Sequence, residues 1–559
     1  MNMKSISAAF ILILVTANFS FGQADEARDA IERGEYVRAA NILSAQLAER
    51  PTADAYIDLG IAYAHMKEYE KAANALREGG QKYPQDPRFH NELAGLYLGN
   101  KDVEAAKTEL QHALIVDPNN NYALDLLATI SMSEGQVQTA LRSWNKSGRP
   151  IVDDILHNYY LTFGSWVVRD AVAFHPGGIL HYDEWKTTEW RLLATDAFTN
   201  VGLEIEPTPV SAHYNAIVRT TNKTNTATDI IFNIVKGLPV MTSYFDHWDL
   251  GSTGINFNSN YRWDSNRRRV EGKLKIPLPL PGLPQLELDN TWRSERWNLS
   301  PVIRPEGLAR ARLAYKANVV RAYLKHTPHY RVEIGGGVEY RNRASSGELP
   351  ELFTDSRNTG KFMADLNLRL ADGRYQNRLR LEGFAARRSV LGDMDFSGGT
   401  AALNNHVTLS KDARTYLDWM VKVGTSRGQL PVEDYFVLGL DTNPVNPLRG
   451  HSAADHGRYG RGPMGTDFVL FNFDVDRRVA TIPLLNTFNI PFLTVKWDLF
   501  FDSAKTFDRN RIFRQGKLWL DTGAGLRFET PTNSFNISYG RSLRDGTGVL
   551  YGYVERRLW

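Results

Sequence analysis

The chain has 559 residues, of which 42% are hydrophobic, 23% charged and 11% aromatic. Its 66 Lys and Arg against 63 Asp and Glu leave a net charge of +3 with the signs interspersed, which argues against the clustered basic excess of a dedicated nucleic-acid binder. There is no cysteine, so disulfides, thiol chemistry, cysteine zinc sites and a diacyl-lipid anchor are excluded.

Lys4, the apolar run Ile6 to Val15 and the small residues Ser20, Gly22 and Ala24 follow the order of a secretory signal peptide. Residues 1–22 are therefore expected to be removed, with the mature chain starting at Gln23 or Asp25. No later stretch supplies about 18 continuous apolar residues, so a helical span of the mature chain is not expected.

Residues 25–150 repeat. Leu59, Leu93 and Leu127 are 34 residues apart, as are Ala72, Ala106 and Ala140, and Pro84 and Pro118 close two of the units. Period, residue size and terminal proline together resemble the tetratricopeptide repeat, in which small residues sit where two helices cross. Three to four such units predict an α-helical solenoid with a surface for a protein partner or substrate.

Residues 165–222 read as a small α+β module. Extended runs are expected at Trp166 to Phe174, Val201 to Glu206 and Tyr214 to Thr220, around one helix from Asp183 to Ala194. Pro176-Gly177-Gly178 and Phe198-Thr199-Asn200-Val201 resemble landmarks of a POTRA domain, although a second helix is not evident.

From about residue 226 the period changes from helical to two. Val332, Ile334, Gly336, Val338 and Tyr340 share one face while Glu333, Glu339 and Arg341 share the other. Phe362, Ala364, Leu366, Leu368 and Leu370 alternate with Asp365, Asn367 and Arg369. Runs of nine or more alternating positions with a charged face fit a transmembrane β-barrel with a wet lumen better than a soluble sandwich of short strands. Residues 226–559, at ~21 residues per strand with its share of loop, give about 16 strands. An even strand count places the preceding modules in the periplasm.

The last 120 or so residues carry an ordered set of motifs. Leu448-Arg449-Gly450-His451 lies in a Pro- and Gly-rich loop, followed by Phe500-Phe501-Asp502-Ser503-Ala504, then Gly523-Ala524-Gly525-Leu526-Arg527-Phe528, then Phe535 to Gly540 and terminal Trp559. This set resembles the bacterial surface antigen family, the outer-membrane barrel superfamily that includes BamA, TamA and FhaC. The resemblance implies that a long extracellular loop folds into the lumen and that its tip, Arg449, Gly450 and His451, is held by Arg449 pairing with Asp502. His451 departs from the family's Tyr or Phe, and Ala504 from its Gly. Trp559 would be the aromatic C-terminal signal for barrel insertion.

Other motifs carry less. Gly424-Thr425-Ser426-Arg427-Gly428 matches a nucleophile pattern but lacks the helix that an elbow requires after it. His451, Asp455 and His456, and also His326 and His329, lack diagnostic metal spacing. Arg267-Arg268-Arg269 beside Asn266 reads as a charged loop or strand-end cluster, facing lipopolysaccharide phosphate or simply solvated in a turn.

The expectation is thus an outer-membrane barrel that moves or inserts protein or lipid, bounded by outer-membrane lipids. Its periplasmic repeats bind a partner or substrate, and no cofactor, metal or enzymatic role is expected. The alternative is a polysaccharide-export porin, which also joins tetratricopeptide repeats to a barrel.

Overall fold

The computed structural model describes residues 23–157, 166–223, 225–227, 233–234, 241–303, 311–347, 358–388, 392–410, 412–440, 446–455, 458–459, 462–483, 492–514, 517–530 and 533–556. The expected signal peptide and Trp559 lie outside these residues.

The chain separates into two compact units. Among the described residues the first contains eight successive helices, each in contact with the next: Gln23–Glu32, Tyr36–Glu49, Ala53–His65, Tyr69–Lys82, Arg88–Gly99, Val103–Val116, Asn121–Ser133 and Val137–Lys146. Ala72, Ala106 and Ala140 are each fully buried, because a methyl is all that fits where paired helices cross. Gly79 shows how tight these crossings are: a Cβ there would come within 2.3 Å of the Phe89 ring and 2.7 Å of Tyr56 Cβ. Alanine favours a helix over glycine by about 1 kcal/mol, but overpacking costs about 1 to 3 kcal/mol. Gly79→Ala should therefore lower the thermal midpoint of the helical circular-dichroism signal, and an unchanged or raised midpoint would refute this packing.

β1 (Ile151–His157), β2 (Phe198–Pro207) and β3 (His213–Asn222) form a three-stranded sheet in the order β1-β3-β2. The helix expected from Asp183 runs from Tyr182 to Ala194. The run at Trp166, expected to be extended, is instead the helix Trp166–Ala171. Trp and Val favour strands only weakly, and here Val167, Val168 and Ala171 form one buried helical face.

The second unit holds one long antiparallel sheet. Its strands are β4 (Thr242–His247), β5 (Asn256–Asp264), β6 (Arg267–Pro277), β7 (Gln285–Asn298), β8 (Arg312–His329), β9 (Val332–Gly347), β10 (Thr359–Ala371), β11 (Tyr375–Ala386), β12 (Phe396–Thr408) and β13 (Thr415–Gly428). Four two-residue strands follow, β14 (Phe436–Val437), β15 (Ala454–Asp455), β16 (Arg458–Tyr459) and β17 (Met464–Gly465). The sheet then continues through β18 (Asp467–Pro483), β19 (Phe492–Phe507), β20 (Trp519–Glu529), β21 (Asn533–Ser542) and β22 (Gly548–Arg556).

Each long strand pairs with the next, and β13 pairs with β18 across the intervening segment. This barrel-like sheet has fifteen strands among the described residues, one fewer than the round figure expected.

Its polarity is inverted relative to a soluble core. Along β7, Leu288 and Trp292 are exposed while Glu287, Asp289, Thr291 and Glu295 are buried. Along β9, Ile334, Val338 and Tyr340 face out, whereas Glu339, Arg341 and Arg343 face in. The inward charges neutralise one another: Glu339 meets Arg321 at 2.6 Å, Arg341 at 2.8 Å and Lys361 at 2.9 Å. Of the readings the sequence left open for Arg267 and Arg269, the structure has the strand end and not the solvated turn, and both belong to this pattern. They lie on β6, with Arg269 2.6 Å from Glu295 and Arg267 3.6 Å from Asp264.

An apolar core closes the end of the sheet from which the longer connections leave. Trp297, Leu299, Ile303, Tyr315, Phe396, Leu430, Tyr435 and Phe513 pack together there.

Candidate functional site

The connection from β13 to β18 turns inward instead of lying outside the sheet. Glu433 and Asp434, in the short helical turn Val432–Asp434, are held by Arg341 at 3.0 and 2.8 Å, and Lys361 adds a 2.8 Å contact to Asp434. Beyond them, Leu438 and Leu448 are fully buried against Phe468, Leu470 and Ala504 on the wall, with Phe436, Met420 and Trp519 at the edge. The methyl of Ala504 is thus part of the apolar seat under this segment.

The tip docks on a row of polar wall residues that strand register places side by side. Asn472 on β18 lies opposite Asp502 on β19, which lies opposite Asp521 on β20, which lies opposite Ser542 on β21. Asp502 and Asp521 are fully buried, and like charges directly opposite each other destabilise a sheet. The tip supplies the missing donors.

The Arg449 backbone N–H donates to Asp502 at 2.8 Å, while Nε and Nη2 of the same side chain donate to it at 2.9 and 2.6 Å. The guanidinium also bridges Asp474 on β18 and lies 4.0 Å from the Phe500 ring centroid. The Gly450 N–H donates to Asp521 at 2.6 Å, and His451 Nδ1 lies 2.9 Å from the same oxygen. Asn472 ties the row to the approach of the tip by donating to the Pro447 carbonyl at 2.9 Å and to Asp502 at 2.6 Å.

A buried carboxylate satisfied by a forked guanidinium and two further N–H donors is a strong anchor. His451, which departs from an aromatic, keeps an aromatic contact through an edge-on ring 4.7 Å from Trp519. Glycine at 450 serves close approach: a Cβ there would come 2.6 Å from the Asp521 carboxyl carbon and 2.7 Å from the Ser542 nitrogen.

Five participants were not assigned to the tip from the sequence: Asn472, Asp474, Asp521, and the pair Glu433 and Asp434. Alternation does put Asp474 on one face with Asn472, but cross-strand neighbours depend on register, which a single sequence does not supply. Trp559 and His456 lie outside the described residues. Ser426 lies within β13 and donates to the Thr466 carbonyl at 2.8 Å, a strand position rather than an elbow.

In the helical unit, His90, Glu109 and His112 bring their donor atoms within 4.8 Å of one another. Glu109 already sits 2.7 Å from the His90 ring and 3.8 Å from that of His112, which accounts for the grouping without an ion.

Asp58 and Glu92 occupy equivalent places in successive repeats. Burial, and after it the Asp58 carboxylate, raise Glu92 above the ordinary carboxylate value. An acid whose folded value is raised stabilises the fold while protonated and loses that contribution as pH rises through the folded value. Glu92→Gln should therefore raise the thermal midpoint of the helical unit at neutral pH, with the gain vanishing as pH falls through the carboxylate range. A gain independent of pH would contradict the assignment.

Comparison with known proteins follows the two units. Residues 30–93 and 67–130 match the tetratricopeptide repeat family. An 82-residue stretch is 37% identical to anaphase-promoting complex subunit cut9 of Schizosaccharomyces pombe; it covers 15% of this chain and 12% of that protein. CdiB from Escherichia coli has a similar structure, with a TM-score of 0.54 at 11% identity over 77% of this chain and 86% of that one. CdiB from Acinetobacter baumannii gives 0.49 at 10% identity over 73% and 74%. BamA from Haemophilus ducreyi lacking POTRA domains 1-3 gives 0.44 at 10% over 72% and 84%. At such identities the likeness to the Escherichia coli protein is one of fold.

Proposed function

We propose that this chain is an outer-membrane barrel that moves or inserts protein or lipid substrates, and that its periplasmic tetratricopeptide repeats bind a protein partner or substrate. The observation that carries the reading is the inverted sheet. Leu288, Trp292, Ile334, Val338, Val469, Leu499, Leu526 and Ile537 are exposed on strands spread around it, a surface that water would not tolerate on a free protein. Hydrocarbon would accept that surface, while the ion-paired inner face suits a hydrated lumen. The CdiB-like fold and the repeats, which ordinarily present partner surfaces, support the same reading.

A connection whose described parts 429–440 and 446–453 turn inward, anchored by Arg449 on Asp502 and by Glu433 and Asp434 on Arg341, favours a regulated translocation path over an open polysaccharide porin. The extracted protein should partition with membranes and migrate faster on a gel before boiling than after it. Recovery as a soluble protein without detergent, with no shift on boiling, would overturn the barrel reading.

A further inference from the structure

The end of the barrel-like sheet opposite the inward loop holds a cavity of about 310 Å³ between the helix Tyr182–Ala194 and the wall strands. Its two sides differ in charge balance. On one side Lys275 and Lys325 are matched by acids: Lys275 contacts Asp196, and Lys325 meets Glu287 at 3.3 Å. On the other side, arginines outnumber the carboxylates they reach.

Register places Arg369 on β10 directly opposite Arg378 on β11, and Arg380 follows two residues on along the same face. Two guanidinium groups facing each other across strands repel, a pairing that sheets ordinarily avoid. Neither Arg369 nor Arg378 forms an ion pair among the described residues. Of the nearby acids, Glu333 attracts both arginines from beyond ion-pair distance and accepts from Asn367 at 3.1 Å, while Asp365 accepts from Asn367 at 2.9 Å and from Tyr323. Arg380 is spoken for by Glu382 at 2.6 Å.

Arg369 is also fixed in place. Its guanidinium carbon lies 3.6 Å from the centroid of the Trp190 ring, and Nη1 donates to the Tyr330 carbonyl. Its Nε is buried with no hydrogen-bond partner. Arg378 makes no hydrogen bond among the described residues. The cavity therefore holds one oriented guanidinium with an orphaned donor and a second guanidinium beside it with all its donors free.

From this geometry we infer that Arg369 and Arg378 form a binding site for an oxyanion, a phosphate or a carboxylate group, at the mouth of the lumen, with Trp190 positioning Arg369. An oxyanion between the two arginines accepts several N–H donors at once and removes the like-charge repulsion, which is the chemistry the forked guanidinium suits. The inference rests on side-chain geometry within the barrel unit. If the proposed transport role also holds, the site selects substrates carrying acidic groups.

The test is isothermal titration of the full-length protein in a neutral detergent at constant ionic strength. Inorganic phosphate is the first probe, acetate the second, and chloride the reference. Saturable heat with phosphate but not acetate identifies a phosphorylated ligand, and the converse a carboxylated one; saturation by both marks a site for either group.

Arg378→Gln should weaken binding of the active probe about tenfold or more, the scale of one charged hydrogen-bonding partner. Arg369→Gln should do the same, and Trp190→Leu should weaken binding less, by loosening Arg369. Arg414→Gln removes the same charge from an exposed turn and should leave binding unchanged. Retention of the boiling-dependent gel shift shows that a variant is folded; Arg378→Lys, which keeps the charge and loses the fork, serves if Arg378→Gln does not fold. No saturable heat with either probe, or equal binding by wild type and folded Arg378 and Arg369 variants, overturns the site.

Discussion

Arg449→Ala is expected to release the inward loop while leaving the sheet intact. The substitution removes the guanidinium shared by Asp502 and Asp474, both on the inner wall, and leaves the fully buried Asp502 without its charged partner, with only the Asn472 amide and the backbone N–H of residue 449 as donors. Removing one partner of a buried ion pair costs about 3 to 5 kcal/mol, far more than losing an exposed pair, because a carboxylate is left without compensation. The strand ladders do not pass through Arg449, so membrane recovery and the boiling-dependent gel shift should persist. Protease cleavage between residues 440 and 455 should rise several-fold, and conductance across a planar bilayer should increase. Asp502→Ala should have a smaller effect, since Asp474 still holds the guanidinium. Unchanged cleavage in Arg449→Ala would mean that the tip is held by something else.

Gly540→Ala should reach the same state without changing any charge. A Cβ at this position of β21 would stand 2.1 Å from the Arg449 carbonyl oxygen and 2.5 Å from its carbonyl carbon. The strand is fixed by its two neighbours, so the loop backbone must give way and carry Arg449 off Asp502. Overpacking of this kind typically costs about 1 to 3 kcal/mol. The expected readout is again several-fold faster loop cleavage with the gel shift kept. Gly552→Ala on the adjacent β22 is the matched control, because its Cβ would meet its nearest neighbour, the Asn536 carbonyl, at an ordinary 3.5 Å. Equal cleavage in the two variants would contradict the close docking of the tip.

Periodicity made much of the fold legible. A 34-residue repeat of Ala72, Ala106 and Ala140 has a direct physical cause, since only small residues fit helix crossings, and all three are fully buried. Alternation in β9 and β10 likewise reports which residues face the interior, because side chains in a strand change face at every step.

Local pattern was less decisive where packing competes with propensity. The Trp-Val-Val run at 166–168 favours extension by itself, yet its burial along one face makes it helical. Arg267 to Arg269 could be read as a strand end or a charged turn, because nothing local reveals that Glu295, 26 residues beyond Arg269, lies opposite Arg267 and pairs with Arg269. The same limit hid Asp474 and Asp521 beside Arg449, Gly450 and His451. Which wall acids meet a loop tip depends on strand register and on the path of a 38-residue connection, and neither leaves a periodic trace.

If the Arg449 tip is held on the inner wall through Asp502, a double-mutant cycle on these two residues must show them coupled. Rates of loop cleavage would be measured for the wild type, Arg449→Ala, Asp502→Ala and the double variant, each carrying the boiling-dependent gel shift. Since removing Asp502 also removes the carboxylate that Arg449→Ala leaves stranded, the double variant should be no worse than Arg449→Ala alone, a coupling well beyond the few tenths of a kcal/mol typical of independent sites. Strictly additive effects would mean that the two residues do not act on one another, and the account of an anchored loop would fail at its principal contact.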